Sequence, residues 1–288
     1  MDLKKNKYTF SIIIPTINRK IEVQQLLESI CKINYEKISE IIIIDQNKEN
    51  FLEEIVNKFK KILPIVHKRV NFKGAAKARN YGAEYANGDI LVFPDDDSTI
   101  LENTLTIVND KFNEYSNIVA VFGKVSDYNE KVDIINYLNK KTYVKFSNLY
   151  RTCIECSFFI KKEMFYNIGK FDENLGVGTY YGSEEGADIF CRLLYQKEKM
   201  LYIPETFFYH PNKKREENMD KYYSYGLGTG KFAKKHLKEY KKVIPFIYWI
   251  LKNVKSILLV MIGKIKKDNY IVERNISLIK GRRNGFKY

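Results

Sequence analysis

Cysteine and histidine are scarce in this 288-residue chain, at four and three residues. Four cysteines are too few to staple a chain of this length, which excludes a disulfide scaffold and fits a reducing compartment. Cys153 and Cys156 form one C-x-x-C pair. A structural zinc site would need a second such pair or histidines close by, and His67, His210 and His236 stand far off in sequence. No apolar stretch with a small-residue cleavage site follows the opening Met1 to Lys7, so export is not expected and a cytoplasmic location is. Internal repeats and low-complexity segments are also lacking. Acidic residues are the minority charge: 35 Asp and Glu face 49 Lys and Arg, leaving +14. That balance favours anionic partners, whether nucleotides, nucleic acid or an acidic lipid surface, without choosing among them.

What is present is a core. At 45% hydrophobic and 14% aromatic the chain is no disordered tail, and its length suits one large domain or two small ones. Three short β-branched or aromatic runs, Phe10 to Ile14, Ile41 to Ile44 and Ile90 to Phe93, read as buried strands. Between the first two, Val23, Leu26, Leu27 and Ile30 share one helical face. A helix over Phe51 to Ile62 and a small-residue helix over Ala75 to Ala86 fill the next interval, and Leu101 to Tyr115 gives another before a strand at Ile118 to Phe122. Strands alternating with helices predict an α/β fold on a largely parallel sheet.

In such sheets ligands bind beyond the carboxyl ends of the strands. Polar residues cluster there: Pro15-Thr16-Ile17-Asn18-Arg19 after the first strand, Asp45-Gln46-Asn47 after the second, Pro94-Asp95-Asp96-Asp97 after the third. In an extended segment Asp95 and Asp97 share a face, and two carboxylates there suit Mg²⁺ or Mn²⁺ bridging to phosphate, although an acidic turn capping the next helix has the same look. Lys73-Gly74 before a helix whose first turns carry Lys77 and Arg79 offers a phosphate cradle, or simply a solvated basic face.

In order, these segments resemble the family 2 glycosyltransferases of the GT-A type, from about Phe10 to Pro211. Ile12-Ile13-Ile14-Pro15-Thr16-Ile17-Asn18-Arg19 is similar to the family's first strand and nucleotide-binding turn. Arg79-Asn80 with Gly88-Asp89-Ile90 resembles the lead into the metal strand, and Asp95-Asp96-Asp97 its D-x-D motif. Gly169 to Glu173 resembles the turn beside the acceptor, and Tyr181 to Asp188 with Arg192 the acidic motif.

The resemblance implies a GT-A fold, a mixed mostly parallel sheet flanked by helices with a C-terminal helical extension. It implies a nucleoside-diphosphate sugar donor, UDP foremost, and inverting transfer of the sugar to a hydroxyl of a glycan or lipid-linked acceptor in surface polysaccharide synthesis. Asp45 takes the place of the acid that holds the base; Pro15, Thr16, Asn18, Arg19, Lys73, Gly74, Arg79, Asp95 and Asp96 join it around the donor. Asp97 and Asp95 would hold Mn²⁺ or Mg²⁺, with His210 near the metal or serving structure alone. The acidic motif departs from the pattern: Gly186 stands where the catalytic aspartate belongs, which leaves Glu185, Glu184 or Asp188 to take the acceptor proton.

From about Asn218 the chain turns aromatic, basic and helical, which divides it into a catalytic domain over 1–217 and an extension over 218–288. The glycines Gly226, Gly228 and Gly230 lack the strand and the acidic partner of a dinucleotide loop. Val243 to Ile262 is long enough to span a bilayer, yet Lys252 and Lys255 near its middle would each cost roughly 2.5–3.5 kcal/mol. A helix lying on an anionic cytoplasmic leaflet, or packed on the catalytic domain or in a homodimer, is expected instead. Two other functions compete. A nucleotidyltransferase would begin with a glycine-rich phosphate loop that Pro15 to Arg19 lacks. A nucleic-acid-binding module would explain +14 but would turn Asp95 to Asp97 against phosphate, so no nucleic-acid partner is expected.

Overall fold

The computed structural model describes residues 8–33, 36–128, 132–211 and 218–288. The chain opens with β1 (Phe10–Thr16), α1 (Ile21–Ile30), β2 (Ile38–Asp45), α2 (Glu53–Phe59), β3 (Ile65–Arg69), α3 (Ala75–Ala83) and β4 (Ile90–Val92). It continues through β5 (Thr99–Ile100), α4 (Thr104–Glu114), β6 (Ile118–Ser126), β7 (Thr142–Tyr143), β8 (Phe159–Lys161), α5 (Lys162–Asn167), α6 (Glu185–Tyr195) and β9 (Lys199–Tyr209). Three long helices close it: α7 (Met219–Lys238), α8 (Ile244–Ile265) and α9 (Asn269–Lys287).

The strands form one sheet in the order β3-β2-β1-β4-β8-β6-β9-β5, with β7 paired to β9. From β3 to β4 all pairing is parallel; β8 is antiparallel to β4 and β6, and β6 runs parallel to β9. The isoleucine runs of β1 and β2 are buried throughout, as strands covered on both faces must be. Val23, Leu26, Leu27 and Ile30 of α1, with Leu105, Val108 and Phe112 of α4, pack against the sheet and enclose the core. Parallel pairing sets Thr16 opposite Asp45, so the polar ends of β1 and β2 lie side by side.

Gly88 is needed for a close approach. A Cβ there would fall 2.7 Å from the backbone of Phe10 and Ser11, and its N–H donates to Ser11 Oγ at 2.8 Å. Buried Glu40 accepts from that hydroxyl and from the Asn87 N–H at 2.9 Å, so the strand ends away from the crest are closed by a satisfied polar cluster.

Helices α2 and α3 are shorter than their patterns predict. Strand β3 escaped the apolar-run criterion because it is half-buried and ends in His67-Lys68-Arg69, the charged character usual at a sheet edge.

Contacts divide the described residues into two compact units. One comprises Met1–Lys73, Lys77–Phe171 and Ile189–Asn212, the other Gly74–Ala76, Asp172–Asp188 and Lys213–Tyr288. The helical unit is therefore more than the C-terminal stretch: it takes in the acidic motif, whose side chains bond to α7 and α8. Within it, Gly226 and Gly230 of α7 face Gly281 and Gly285 of α9. A Cβ on Gly226 would fall 2.5 Å from the Leu278 carbonyl, and one on Gly230 2.5 Å from the Phe286 nitrogen. These glycines lie inside a 20-residue helix and let two backbones touch; they form no phosphate loop.

Candidate active site

Asp45 ends β2 with 1% of its surface exposed. It accepts from the Asn47 N–H at 2.9 Å and Nδ2 at 2.7 Å, and pairs with His67 Nε2 at 3.0 Å. Burial works to raise its pKa; the His67 and Asn47 hydrogen bonds outweigh that, so the net shift is downward and the carboxylate stays charged. Asn47 Oδ1 in turn accepts from the Asn18 N–H at 2.6 Å, and Asn18 adopts the left-handed region at φ 57° that asparagine tolerates. Pro15 and Thr16 are the buried last residues of β1. The Thr16 carbonyl accepts from the Gln46 N–H at 3.0 Å.

Asp95, Asp97 and His210 converge, with one ligand atom from each within 4.8 Å of the others. His210 Nε2 lies 3.0 Å from Asp97 Oδ1 and 3.8 Å from Asp95 Oδ2. Its Nδ1 faces the Pro211 carbonyl at 2.9 Å, which as an N–H donor turns Nε2 toward the carboxylates. Arg19 Nη1 is shared between Asp96, at 2.9 Å, and Asp97. Burial opposes ionisation of Asp97, but His210 and Arg19 pull its pKa down to about 2. For Asp96 the balance reverses: burial, with Asp97 and Asp95 nearby, outweighs Arg19 and pushes it up to about 6. Two carboxylate oxygens and an imidazole nitrogen within one ion's reach are a donor set that suits a divalent cation such as Mn²⁺.

Arg79 does not face outward as a phosphate ligand. Its Nη2 donates to Asp95 Oδ1 at 2.8 Å, and the side chain is almost wholly buried. Lys73 is exposed. Gly74 adopts φ 122°, and the Ala75 N–H that follows donates to the Val177 carbonyl at 2.9 Å, so the first turn of α3 already has a protein acceptor.

Motif residues Asn80 and Arg192 hold the turn at 168–171. Asn80 brackets Phe171, donating to its carbonyl at 2.9 Å and accepting from its N–H at 3.0 Å. Arg192 donates to the Ile168 carbonyl and, at 2.5 Å, to the Lys170 carbonyl. Gly169 and Lys170 both have positive φ, a conformation these bonds stabilise.

The acidic motif belongs to the helical unit. Glu184, at φ 74°, accepts through Oε1 from Thr229 Oγ1 at 2.9 Å and from Lys252 Nζ at 2.7 Å. Glu185 opens α6, its carboxylate against Gly176, where a Cβ would fall 2.5 Å from Cδ. Asp188 is wholly buried and meets His236 Nε2 at 3.0 Å and Lys235 Nζ at 2.7 Å. Lys235 also reaches Asp172 at 2.7 Å. Burial lowers the Lys235 pKa, but the two aspartates outweigh it and keep the amine protonated. His67 and Lys252 carried no sequence signal for these contacts. His67 lies 22 residues from Asp45, and Lys252 lies 68 from Glu184.

Residues 11–171, more than half the chain, match the model of glycosyl transferase family 2. The chain belongs to that family. This glycosyltransferase is 29% identical over 224 residues to the minor teichoic acid biosynthesis protein GgaB of Bacillus subtilis, which covers 73% of this chain and 24% of that protein. The match thus spans well under half of that relative. Among solved structures it resembles residues 1–349 of S. aureus TarS in complex with UDP-GlcNAc, with TM-score 0.62 and 17% identity over 97% of this chain and 90% of that one. It also resembles GalNAc-T7 with UDP, GalNAc and Mn²⁺, with TM-score 0.66 and 16% identity over 88% and 51%. At those identities the likeness concerns the fold, which is GT-A.

Proposed function

We propose that this glycosyltransferase inverts the anomeric centre as it moves a sugar from a UDP-type donor to a hydroxyl of a surface glycan or lipid-linked acceptor at the cytoplasmic face of a membrane. The observation that carries it is the convergence of Asp95, Asp97 and His210 beside the strand-end acid Asp45. The Mn²⁺ in GalNAc-T7 and the UDP-GlcNAc in TarS support a divalent ion and a uridine nucleotide. Family membership favours transfer over nucleotide activation or nucleic-acid binding.

Asp45, ionised and oriented by His67 and Asn47, accepts a hydrogen bond from the base. Asp97, Asp95 and His210 would hold Mn²⁺ or Mg²⁺, which when bound supplies positive charge against the leaving diphosphate. Arg79 holds Asp95 in place, and Arg19 balances Asp96 and Asp97. Of the three candidate bases, Asp188 is sealed between Lys235 and His236, and Glu184 is occupied by Thr229 and Lys252. Glu185, the glutamate of the acidic motif at the start of α6, is assigned the proton: as the acceptor oxygen bonds to the anomeric carbon and the bond to diphosphate breaks, its carboxylate takes the hydroxyl hydrogen. Residues 218–288 are assigned to the membrane side.

The test is thermal stabilisation by a panel of nucleoside diphosphates, with and without Mn²⁺. Metal-dependent stabilisation by UDP, lost in Asp97→Ala, is expected. A shift by no nucleotide in the wild-type chain would sink the donor assignment.

A further inference from the structure

Helix α8 has two unlike faces. One is packed within its own unit: Pro245, Ser256 and Gly263 are buried, and Arg282 of α9 donates to the Lys252 carbonyl and to Ser256 Oγ, both at 2.8 Å. Trp249 Nε1 returns a bond to the Arg282 carbonyl at 3.2 Å, and the Lys252 amine is held by Glu184. The opposite face is exposed and apolar. Ile247, Leu251, Val254, Leu258, Met261 and Ile265 recur at alternating steps of four and three, each at least 48% exposed. At 1.5 Å per residue the stripe runs roughly 27 Å. Exposed Lys255 and Lys264 flank it, Lys241 and Lys242 precede it, and Lys266 and Lys267 follow. No acidic residue occurs between Glu239 and Asp268.

We infer that this face docks on an anionic lipid bilayer, with α8 lying in the plane of the headgroups. An apolar stripe edged by lysines sinks into the headgroup boundary while the amines meet lipid phosphates. Spanning would strip Lys252 from Glu184 and Ser256 from Arg282 and place both in hydrocarbon, which the length of the helix alone does not offset. A second copy would set the stripe against itself, because a two-fold contact is self-complementary; the lysine edges would then meet with no acid on the helix to pair them. Anionic lipid supplies the charge the helix lacks. The inference needs no transferase chemistry.

The full chain, without nucleotide, is floated with vesicles of phosphatidylcholine alone and of phosphatidylcholine with phosphatidylglycerol. Flotation with the anionic vesicles alone is expected, weakening with salt and by roughly fivefold per lysine in Lys255→Gln and Lys264→Gln. The double variant Leu251→Asp, Leu258→Asp should not float while keeping its circular dichroism. Since the two lysine positions are exposed, those variants test the surface even if the double variant misfolds. The inference is overturned if the wild-type chain does not float, if it floats equally on neutral vesicles, or if it resists alkaline extraction as a spanning helix does. A wild-type dimer that the double variant splits, with no vesicle binding, overturns it in favour of a second copy. None of these results bears on donor binding.

Discussion

The strand-end crest and the helical unit both gather carboxylates, and they treat them differently. At the crest three consecutive aspartates follow β4, and the side chain of Asp95 keeps 37% of its surface exposed. In the helical unit Asp188 and His236 have none exposed, and Lys235 bridges Asp188 to Asp172. A carboxylate that water reaches can exchange its partner for a ligand. One that is enclosed with its cations holds the chain together, since removing any partner would strand a buried charge. Exposure thus divides Asp95 from Asp188, but it does not place Asp45, at 1%, or Glu185, buried at 6% exposure against the Gly176 backbone.

The sharpest test of that division lies within the acidic motif. Glu185→Gln is expected to lower kcat by about 10²–10⁴-fold, the range for loss of a general base, whereas Glu184→Gln should cost less than about tenfold, since its carboxylate serves as a tether. Release of nucleoside diphosphate measures both. If Glu184→Gln proves the inactive variant instead, the tethered acid is the base and the division fails.

Next in size, Asp188→Ala leaves Lys235 and His236 enclosed without their acid and should cost about 3 kcal/mol of stability, read by urea unfolding. Asp95→Ala takes from the buried Arg79 guanidinium an acid that is itself 37% exposed, and should lower the midpoint by less. Gly285→Ala places a methyl where the Leu227 backbone lies and should cost about 2 kcal/mol by overpacking; a calorimetric midpoint equal to wild type would mean that α7 and α9 do not touch.

The smallest effect is on pH dependence. Burial works to raise the Asp172 pKa, but the Lys235 hydrogen bond, aided by Asn174, outweighs it and the net shift is downward. A folded-state pKa below the unfolded value contributes stability that is present above about pH 4 and lost as pH falls through the lower folded value. Lys235→Met should therefore flatten the loss of stability below about pH 4 in an acid series of melts. An unchanged acid limb would show that Asp172 is not linked to Lys235 in solution.

Much of the crest was legible because its signals are local. Isoleucine runs wrote β1 and β2, the heptad-like spacing of Val23 to Ile30 wrote α1, and Asp95 to Asp97 lie next to one another directly after a strand. Less legible was β3, whose strand character comes from pairing with β2 rather than from its own apolarity. The Arg79 bond to Asp95 was illegible for a related reason: a cation near a helix start shows no partner until the fold sets Asp95 within 2.8 Å of it.

The sequence by itself determined the αβ alternation, the polar strand ends and the family, because hydrophobic period and adjacent motif residues act over a few positions. Only the tertiary structure decided that His67 supports Asp45, that His210 joins Asp95 and Asp97, that Lys235 and Lys252 occupy two of the three candidate bases, and that one face of α8 stays bare. Each of these depends on bringing together residues from tens to more than a hundred positions apart. Charge pairing and burial over such distances follow from packing, and no local pattern encodes them.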